Sequence, residues 1–317
     1  MDSGYRIIQG DSLTNFIVRL LSQNILQSIH SINLSRWKKP IAVGLIAFFV
    51  GIQGFVFYVR YCTLSDWTVH FSPAAQDLFN KDLYCSERYG FYNPLWVLFF
   101  IYPFSFLPVR VGNLLVSLLC LVGLAWVAYR RGAKPLDMAL FLLMPQVQFM
   151  AGNGDFVDVL TSIGFVLPPQ IGLFFILAKP QAGVGLALYW FVLVWQKGKL
   201  KEVIRIFAPV LIAYMVLLLA YKPNLLQALL AAKDQVGMGS AHDVNMWPYG
   251  VIFGVLLLVS AIKKRDNGRA ILSSVCFMPY VGFYTWPVAL LGLLPSKLYF
   301  RLAVITMWIL GLILGHS

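Results

Sequence analysis

Two ionisable residues, Asp66 and Lys179, stand beside long apolar segments, where a charged side chain needs a polar partner or a cavity. Asp66 lies a few residues after the apolar run 41–59, in the sequence Ser65-Asp66-Trp67. A carboxylate placed there, beneath aromatic residues, is suited to removing a proton from a hydroxyl nucleophile. The alternative is an ordinary solvated aspartate in a loop.

Lys179 begins the tripeptide Lys179-Pro180-Gln181, which separates two apolar segments. A lysine in a bilayer is costly unless it faces a polar group. Its ammonium is a compact point charge, so the anionic group of a ligand, such as a phosphate, is a suitable partner. The alternative is a side chain that extends to the lipid headgroups.

Two histidines could assist such a site. His70 lies four residues after Asp66, and an α-helix over this stretch would place both on one face. His242 precedes Asp243 in a later polar segment. Either histidine could orient a substrate or tune the base, and a surface histidine is the alternative for each. The chain has no HExxH, CxxC or Asp-x-Asp pattern, so the sequence predicts neither a metal site nor a cofactor.

The elements that position these residues are predicted to be membrane helices. Of the 317 residues, 59% are hydrophobic and 12% are charged, whereas about a quarter of the residues of a typical soluble domain are charged. The runs 41–59 and 203–220 are long enough to cross a hydrocarbon layer of about 30 Å. We therefore expect one transmembrane domain over 41–317. It is preceded by a cytoplasmic amphipathic segment over 1–40, which either lies on the membrane or packs on the bundle.

The net charge of +12 reflects topology rather than a nucleic-acid partner. Eighteen of the 25 basic residues lie in five segments, namely 1–40, 130–134, 197–205, 263–269 and 297–301. Cytoplasmic loops of membrane proteins carry such an excess of lysine and arginine. This assignment places the amino terminus in the cytoplasm and the segments containing Asp66 and Lys179 on the opposite face.

With this orientation the sequence predicts an all-α, polytopic protein with about eleven membrane crossings, several of them short or broken. The polar segments 60–108 and 221–249 become outer loops, and 94–107 becomes a helix at the outer interface. Four apolar pieces are shorter than a standard span, namely 136–150, 156–167, 170–178 and 181–195. Short and broken helices are tolerated at membrane depth where they line a cavity, so we expect a cavity there.

The order of these motifs resembles a known class of membrane enzyme. The motifs are Asp66 after the first span, the element Tyr89-Gly90-Phe91-Tyr92-Asn93-Pro94-Leu95, the turn Gly152-Asn153-Gly154-Asp155, and Lys179-Pro180-Gln181. Over about residues 41–200 the chain resembles the GT-C class of polyprenol-phosphate-sugar-dependent glycosyltransferases. It is most similar to glycosyltransferase family 87, which includes many mannosyltransferases.

The resemblance implies a metal-independent, inverting transfer of a sugar, most often mannose, at the outer face of the plasma membrane. The donor would be a polyprenyl-phosphate sugar, and the acceptor a hydroxyl of a glycan, glycolipid or protein. Asp66 would be the general base, and Lys179, assisted by Arg110, would hold the donor phosphate, where negative charge grows as the glycosidic bond breaks. The candidates for lining the substrate cavity are His70, Tyr92, Asn93, Asn153, Asp155, Gln181 and His242.

A transporter or lipid flippase is the main alternative, because intramembrane ionisable groups and broken helices would serve it equally well. The two halves of the chain, however, show no matching pattern of interrupted helices. The polar residues also concentrate in the outer loops rather than within the spans. A non-catalytic scaffold subunit is a third possibility, for which no motif argues. The sequence therefore favours the glycosyltransferase.

Cys62 and Cys85 both lie in the first outer loop, which would face an oxidising compartment. A disulfide between them would close that loop. Mass spectrometry of the protein digested without reduction should then show the two cysteine peptides joined. Recovery of both cysteines as free thiols would exclude the bond.

Overall fold

The computed structural model describes residues 65–80, 82–84, 90–222, 224–225 and 244–314, with four single helical residues inside 41–59. Throughout this part of the chain the regular elements are helices, and none is a strand. The predicted amphipathic segment 1–40 lies outside the described residues, as do most of 41–59 and most of the second loop. His242, Cys62 and Cys85 lie outside them as well.

The described elements begin with a π-helix and continue with twelve α-helices and one 3-10 helix. The π-helix is Trp67–Phe71. The α-helices are α1 (Ser72–Gln76), α2 (Trp96–Ser105), α3 (Val109–Arg130), α4 (Pro135–Leu142), α5 (Pro145–Asn153), α6 (Phe156–Gly164), α7 (Pro169–Ile176), α8 (Pro180–Tyr221), α9 (Gly250–Lys264), α10 (Asn267–Cys276), α11 (Trp286–Leu290) and α12 (Lys297–Leu314). The 3-10 helix, Leu291–Leu293, follows α11 directly.

Proline determines where most of the short helices begin. Pro135, Pro145, Pro169 and Pro180 are the first residues of α4, α5, α7 and α8. Proline is favoured at this position because its fixed φ suits a helix and the first turn needs no backbone N–H donor. The predicted piece 136–150 is therefore two helices, with a break at Leu143–Met144.

Helix α8 reverses direction at its middle. Gly198 and Lys199 have non-helical backbone angles, with a φ of 53° at Lys199. A straight helix would place Tyr214 about 50 Å from the start of α8, at 1.5 Å per residue. The Tyr214 hydroxyl instead donates to the carbonyl of Leu177 at 2.6 Å, just before that start. Residues 180–197 and 200–221 therefore form two antiparallel limbs, of about 27 Å and 33 Å.

The described basic segments gather at one end of the bundle. Arg131 donates from Nε to the carbonyl of Leu291 at 2.7 Å, and Arg301 donates from Nε to the buried carboxylate of Asp137 at 2.6 Å. The backbone of Gly268 packs directly on that of Gly292. Segments 130–134, 263–269 and 297–301 thus meet near the C-terminal end of α3.

Two of the described helices, α3 and α8, are long and apolar enough to cross a membrane, judged by length and composition. The second limb of α8 also exposes a row of large apolar side chains, namely Leu211, Ile212, Met215, Val216 and Leu219. Helix α2 is only ten residues long, or about 15 Å, and is too short to cross. The expectation of about eleven crossings stays a prediction.

Close packing between α8 and α10 depends on Gly185. A Cβ at Gly185 would lie 2.1 Å from Ser273 Oγ and 2.4 Å from the carbonyl oxygen of Ala270. We expect Gly185→Ala to destabilise the protein by about 1–3 kcal/mol, a typical cost of overpacking. The measurement is thermal unfolding in detergent. Gly44→Ala is the matched control, because a Cβ there meets nothing within 4 Å, and equal melting temperatures of the two variants would contradict the packing argument.

Candidate functional site

Asp66 is joined to Asn153 by two hydrogen bonds between distant parts of the chain. The backbone N–H of Asp66 donates to Asn153 Oδ1 at 2.9 Å, and Asn153 Nδ2 donates to Asp66 Oδ2 at 2.5 Å. Asp66 occupies the N-cap position of the π-helix, and Asn153 is the last residue of α5. Among the described residues, no donor contacts Asp66 Oδ1, so this oxygen can accept a further hydrogen bond.

Trp67 anchors the π-helix beside Asp66. Its side chain is fully buried, and Nε1 donates to the carbonyl of Val109 at 3.2 Å. The backbones of Gly112 and Gly154 lie against the indole, and a Cβ at either position would come within 2.8 Å of Trp67. Gly154 also has a φ of 75°, a left-handed conformation that glycine adopts without strain. The predicted turn at 152–155 therefore brings α5 close to the carboxylate.

Asn113 ties this arrangement to α3. Its fully buried amide donates from Nδ2 to the carbonyl of Gly152 at 3.3 Å and to Ser65 Oγ at 3.4 Å. Its Oδ1 is buried and accepts no hydrogen bond from any residue in the described part of the chain. Buried polar atoms are normally hydrogen-bonded, so this atom could accept from a bound water or hydroxyl.

Lys179 contacts two carboxylates at the start of α6. Its Nζ lies 3.0 Å from Asp155 Oδ2 and 2.7 Å from Asp158 Oδ2. The Lys179 side chain is 14% exposed, while those of Asp155 and Asp158 are 6% and 0% exposed. The ammonium also lies 4.8 Å from the centre of the Tyr284 ring, within the range of a cation–π interaction. Two carboxylates and one aromatic ring therefore compensate the charge of the nearly buried ammonium.

Asp155 connects the surroundings of Lys179 to those of Asp66. Its Oδ1 caps α6 by accepting from the backbone N–H of Val157 at 3.2 Å, and its Oδ2 pairs with Lys179. Asp155 follows Asn153 by two residues, so one turn holds the partner of Asp66 and a partner of Lys179. We call Asp66, Asn153, Asp155, Asp158 and Lys179 the acidic cluster.

Burial raises the pKa of Asp66 to about 6, because a carboxylate loses hydration when it leaves water. The negative charge of Asp155 also contributes to this rise, while the charges of His70 and Lys179 act in the opposite direction. Both Lys179 and His70 thus lie close enough to Asp66 to influence its protonation. A carboxyl group with a pKa near 6 can exchange a proton close to neutral pH.

The structure places the remaining predicted site residues as follows. Gln181 lies in the first turn of α8, half-buried beside Lys179. Tyr92 and Asn93 are half-buried just before α2, and the carbonyl of Asn93 accepts from the Tyr84 hydroxyl at 3.0 Å. Arg110 is exposed in the first turn of α3, and no hydrogen bond or ion pair in the described part joins it to the acidic cluster.

Sequence reasoning missed Asp158, Tyr284 and Asn113. The spacing Asp155-Phe156-Val157-Asp158 was a usable signal for Asp158, because residues three apart share a helix face. Tyr284 comes from the loop before α11, far along the chain, and no local pattern connects it to Lys179. Thr285, next to it, approaches Asp158 Oδ2 at 3.5 Å.

Within the described residues, no group of three or more histidine, cysteine, aspartate or glutamate side chains is placed to hold a metal ion. The two adjacent carboxylates, Asp155 and Asp158, are both occupied by Lys179.

Comparison of the chain with protein-family models, with curated proteins and with solved structures finds no match.

The ion pairs of Lys179 generate a stability prediction. We expect Lys179→Met to lower the free energy of unfolding by about 3–5 kcal/mol, since it leaves buried carboxylates without a partner. Adding Asp158→Asn to this variant should restore part of the loss, because one of the uncompensated charges is removed. Chemical unfolding in detergent measures the free energy of unfolding of the two single variants and of the double variant. If the changes in the free energy of unfolding caused by Lys179→Met and by Asp158→Asn simply add in the double variant, the coupling between these two residues is contradicted.

Proposed function

We propose that this chain is a membrane glycosyltransferase that uses a polyprenyl-phosphate sugar as donor, with a GT-C-like fold. The sugar, by resemblance a mannose, is transferred with inversion to a hydroxyl of a glycan, glycolipid or protein acceptor. Asp66 is the general base, and Lys179 stabilises the departing phosphate. No metal or cofactor takes part in the proposed reaction.

The observation that carries the proposal is the meeting of Asp66 and Lys179 in one cluster. The two residues are distant in the sequence, yet Asn153 contacts Asp66 and Asp155 contacts Lys179 from the same turn. A transfer from a phosphate to a hydroxyl needs a base near the acceptor and positive charge near the leaving group. The acidic cluster contains one group of each kind.

The environment of Asp66 suits a base. With a pKa of about 6, the carboxyl group is mainly ionised at neutral pH and still accepts a proton more readily than an exposed aspartate. Asn153 holds Oδ2, so Oδ1 faces the acceptor hydroxyl in the proposed complex. His70 would tune this pKa through its charge.

Lys179 has a more demanding role, because two carboxylates already surround it. We propose that the donor phosphate draws the ammonium away from Asp155, the more exposed partner, while Asp158 and Tyr284 keep it oriented. The attraction between the ammonium and the phosphate grows as the glycosidic bond breaks and charge accumulates on the leaving group. The carboxylates would then also limit phosphate binding in the ground state.

The two ends of α3 support the membrane orientation that we propose. Asn113, which binds the turn beside the acidic cluster, and Arg130, at the end of the bundle where the basic segments meet (the basic end), are about 25 Å apart along α3, at 1.5 Å per residue. With α3 and the two limbs of α8 as crossings, the chain is a multi-pass protein. The basic end then faces the cytoplasm. The acidic cluster opens to the extracytoplasmic face, where lipid-linked sugars would be used.

One observation favours a transporter as the second candidate. The charge of Lys179 is compensated by buried carboxylates, and groups of this kind form proton relays in membrane transporters. In such a protein, protonation of Asp158 or Asp66 would release Lys179 during a transport cycle.

The test of the proposed enzyme uses purified protein with synthetic polyprenyl-phosphate-mannose and a panel of hydroxyl acceptors. The rate of transfer should rise with pH through about 6, because a base works in its deprotonated form and Asp66 has its pKa there. Asp66→Asn should lower the rate at least a hundredfold while donor binding is retained. Asp82→Asn, which changes an exposed carboxylate of the same loop, is the matched control.

Equal activity of the Asp66→Asn and Asp82→Asn variants would refute the assignment of the base. Absence of product with every acceptor, combined with proton-dependent uptake of solute by proteoliposomes, would favour the transporter.

A further inference from the structure

A cavity lies at the basic end of the bundle. It has a volume of about 640 Å³ and opens between α8, the turn from α6 to α7, and the junction of α9 and α10. This volume is in the range of small-molecule sites in proteins. Residues 189–197 of α8 line it, beginning about 15 Å along the first limb from Lys179. The cavity is therefore separate from the acidic cluster.

The cavity exists because the α6–α7 hairpin is shorter than the helix it covers. Helices α6 and α7 have nine and eight residues and reach only about 13 Å. The first limb of α8 continues for about 27 Å. With the membrane orientation proposed above, the connecting turn at 165–168 lies at membrane depth, where non-helical backbone is tolerated beside a polar or water-filled space. Beyond the turn, neither α6 nor α7 covers the lower half of the limb.

The lining of the cavity is amphipathic. Its inner wall is formed by buried aromatic side chains, Phe165, Tyr189 and Trp190, and it continues over Leu193. Its rim carries exposed polar and basic side chains, namely Gln196, Lys197, Arg265 and Asn267. A ligand that fits both parts has a hydrocarbon portion and an anionic head.

The charges around the rim favour an anion. Asp266 is the acidic residue next to the rim, but its Oδ2 lies 3.1 Å from Arg269 Nε and its Oδ1 caps α10. Glu202 in the second limb of α8 pairs with Arg205 at 2.8 Å. Lys197 and Arg265 form no ion pair with a carboxylate of the described chain. Arg265 is held at the rim by its position after α9, where its φ is 51°.

We propose that this cavity binds one anionic phospholipid of the cytoplasmic leaflet, with the headgroup phosphate between Lys197 and Arg265. One acyl chain would lie over Trp190 and Leu193, in the length of α8 that the α6–α7 hairpin leaves uncovered. The occupant is a lipid rather than a soluble phosphate, because the inner wall is apolar and the rim lies at the basic end of the bundle, where anionic headgroups occur.

This site is independent of the proposed transfer reaction, since none of its lining residues belongs to the acidic cluster. The bound lipid would fill the space below the α6–α7 hairpin and support the helices that position Asp155 and Lys179. Its presence can therefore be tested by binding alone, without an activity assay.

The experiment is native mass spectrometry of the full chain, released from detergent after titration with phosphatidylglycerol or with phosphatidylcholine of the same acyl chains. We expect one molecule of phosphatidylglycerol to be retained at least tenfold more strongly than phosphatidylcholine. The double variant Lys197→Gln, Arg265→Gln should lose this preference. The double variant Lys263→Gln, Lys264→Gln removes two exposed charges from the same end but none from the cavity lining, and should keep it.

A second variant tests the apolar part of the site. Leu193→Trp adds volume to the inner wall without changing charge, so it should weaken retention of phosphatidylglycerol as well. Equal retention by the wild type and the Lys197→Gln, Arg265→Gln protein would overturn the proposal. Displacement of the lipid by inorganic phosphate at millimolar concentration would also overturn the proposal. Such a result would show that a phosphate binds the cavity without an acyl chain.

Discussion

The ion pairs of Lys179 with Asp155 and Asp158 are the constraint on which the site depends. A lysine that is only 14% exposed needs compensating charge, and both carboxylates come from the start of α6. Their attraction holds the beginning of α8 against the turn that follows α5. The same turn carries Asn153, which binds Asp66. The position of Asp66, the candidate base, therefore depends on the ion pairs that compensate the charge of Lys179.

The short helices of this chain have a common physical cause. Proline at the first position of α4, α5, α7 and α8 divides an apolar region into pieces, several of which do not reach across a membrane. Each break leaves turn backbone and polar side chains at depth, and these need internal partners or water. At one end of α6 the turn contributes to the acidic cluster. At the other end it leaves the amphipathic cavity beside α8.

The two ends of the bundle differ in chemistry. The acidic cluster gathers three carboxylates and one ammonium near the start of α3, whereas arginines bound to Leu291 and Asp137 lie near its other end. This polarity is consistent with the proposed proton transfer at one end and with the proposed binding of an anionic lipid at the other.

The sequence by itself determined the helical class, the short apolar pieces and the candidates Asp66 and Lys179, because these follow from local composition and spacing. It also indicated that 152–155 is a turn. The break before Pro145, inside the predicted piece 136–150, was found only in the structure. Only the tertiary structure decided which side chains contact Asp66 and Lys179. Asp158 and Tyr284 reach Lys179 through the packing of α6 and α11, and Arg110, at the surface, stays outside the acidic cluster. The reversal of α8 at Gly198–Lys199 was likewise settled by contacts such as Tyr214 with Leu177, since side-chain partners depend on how helices pack rather than on local spacing.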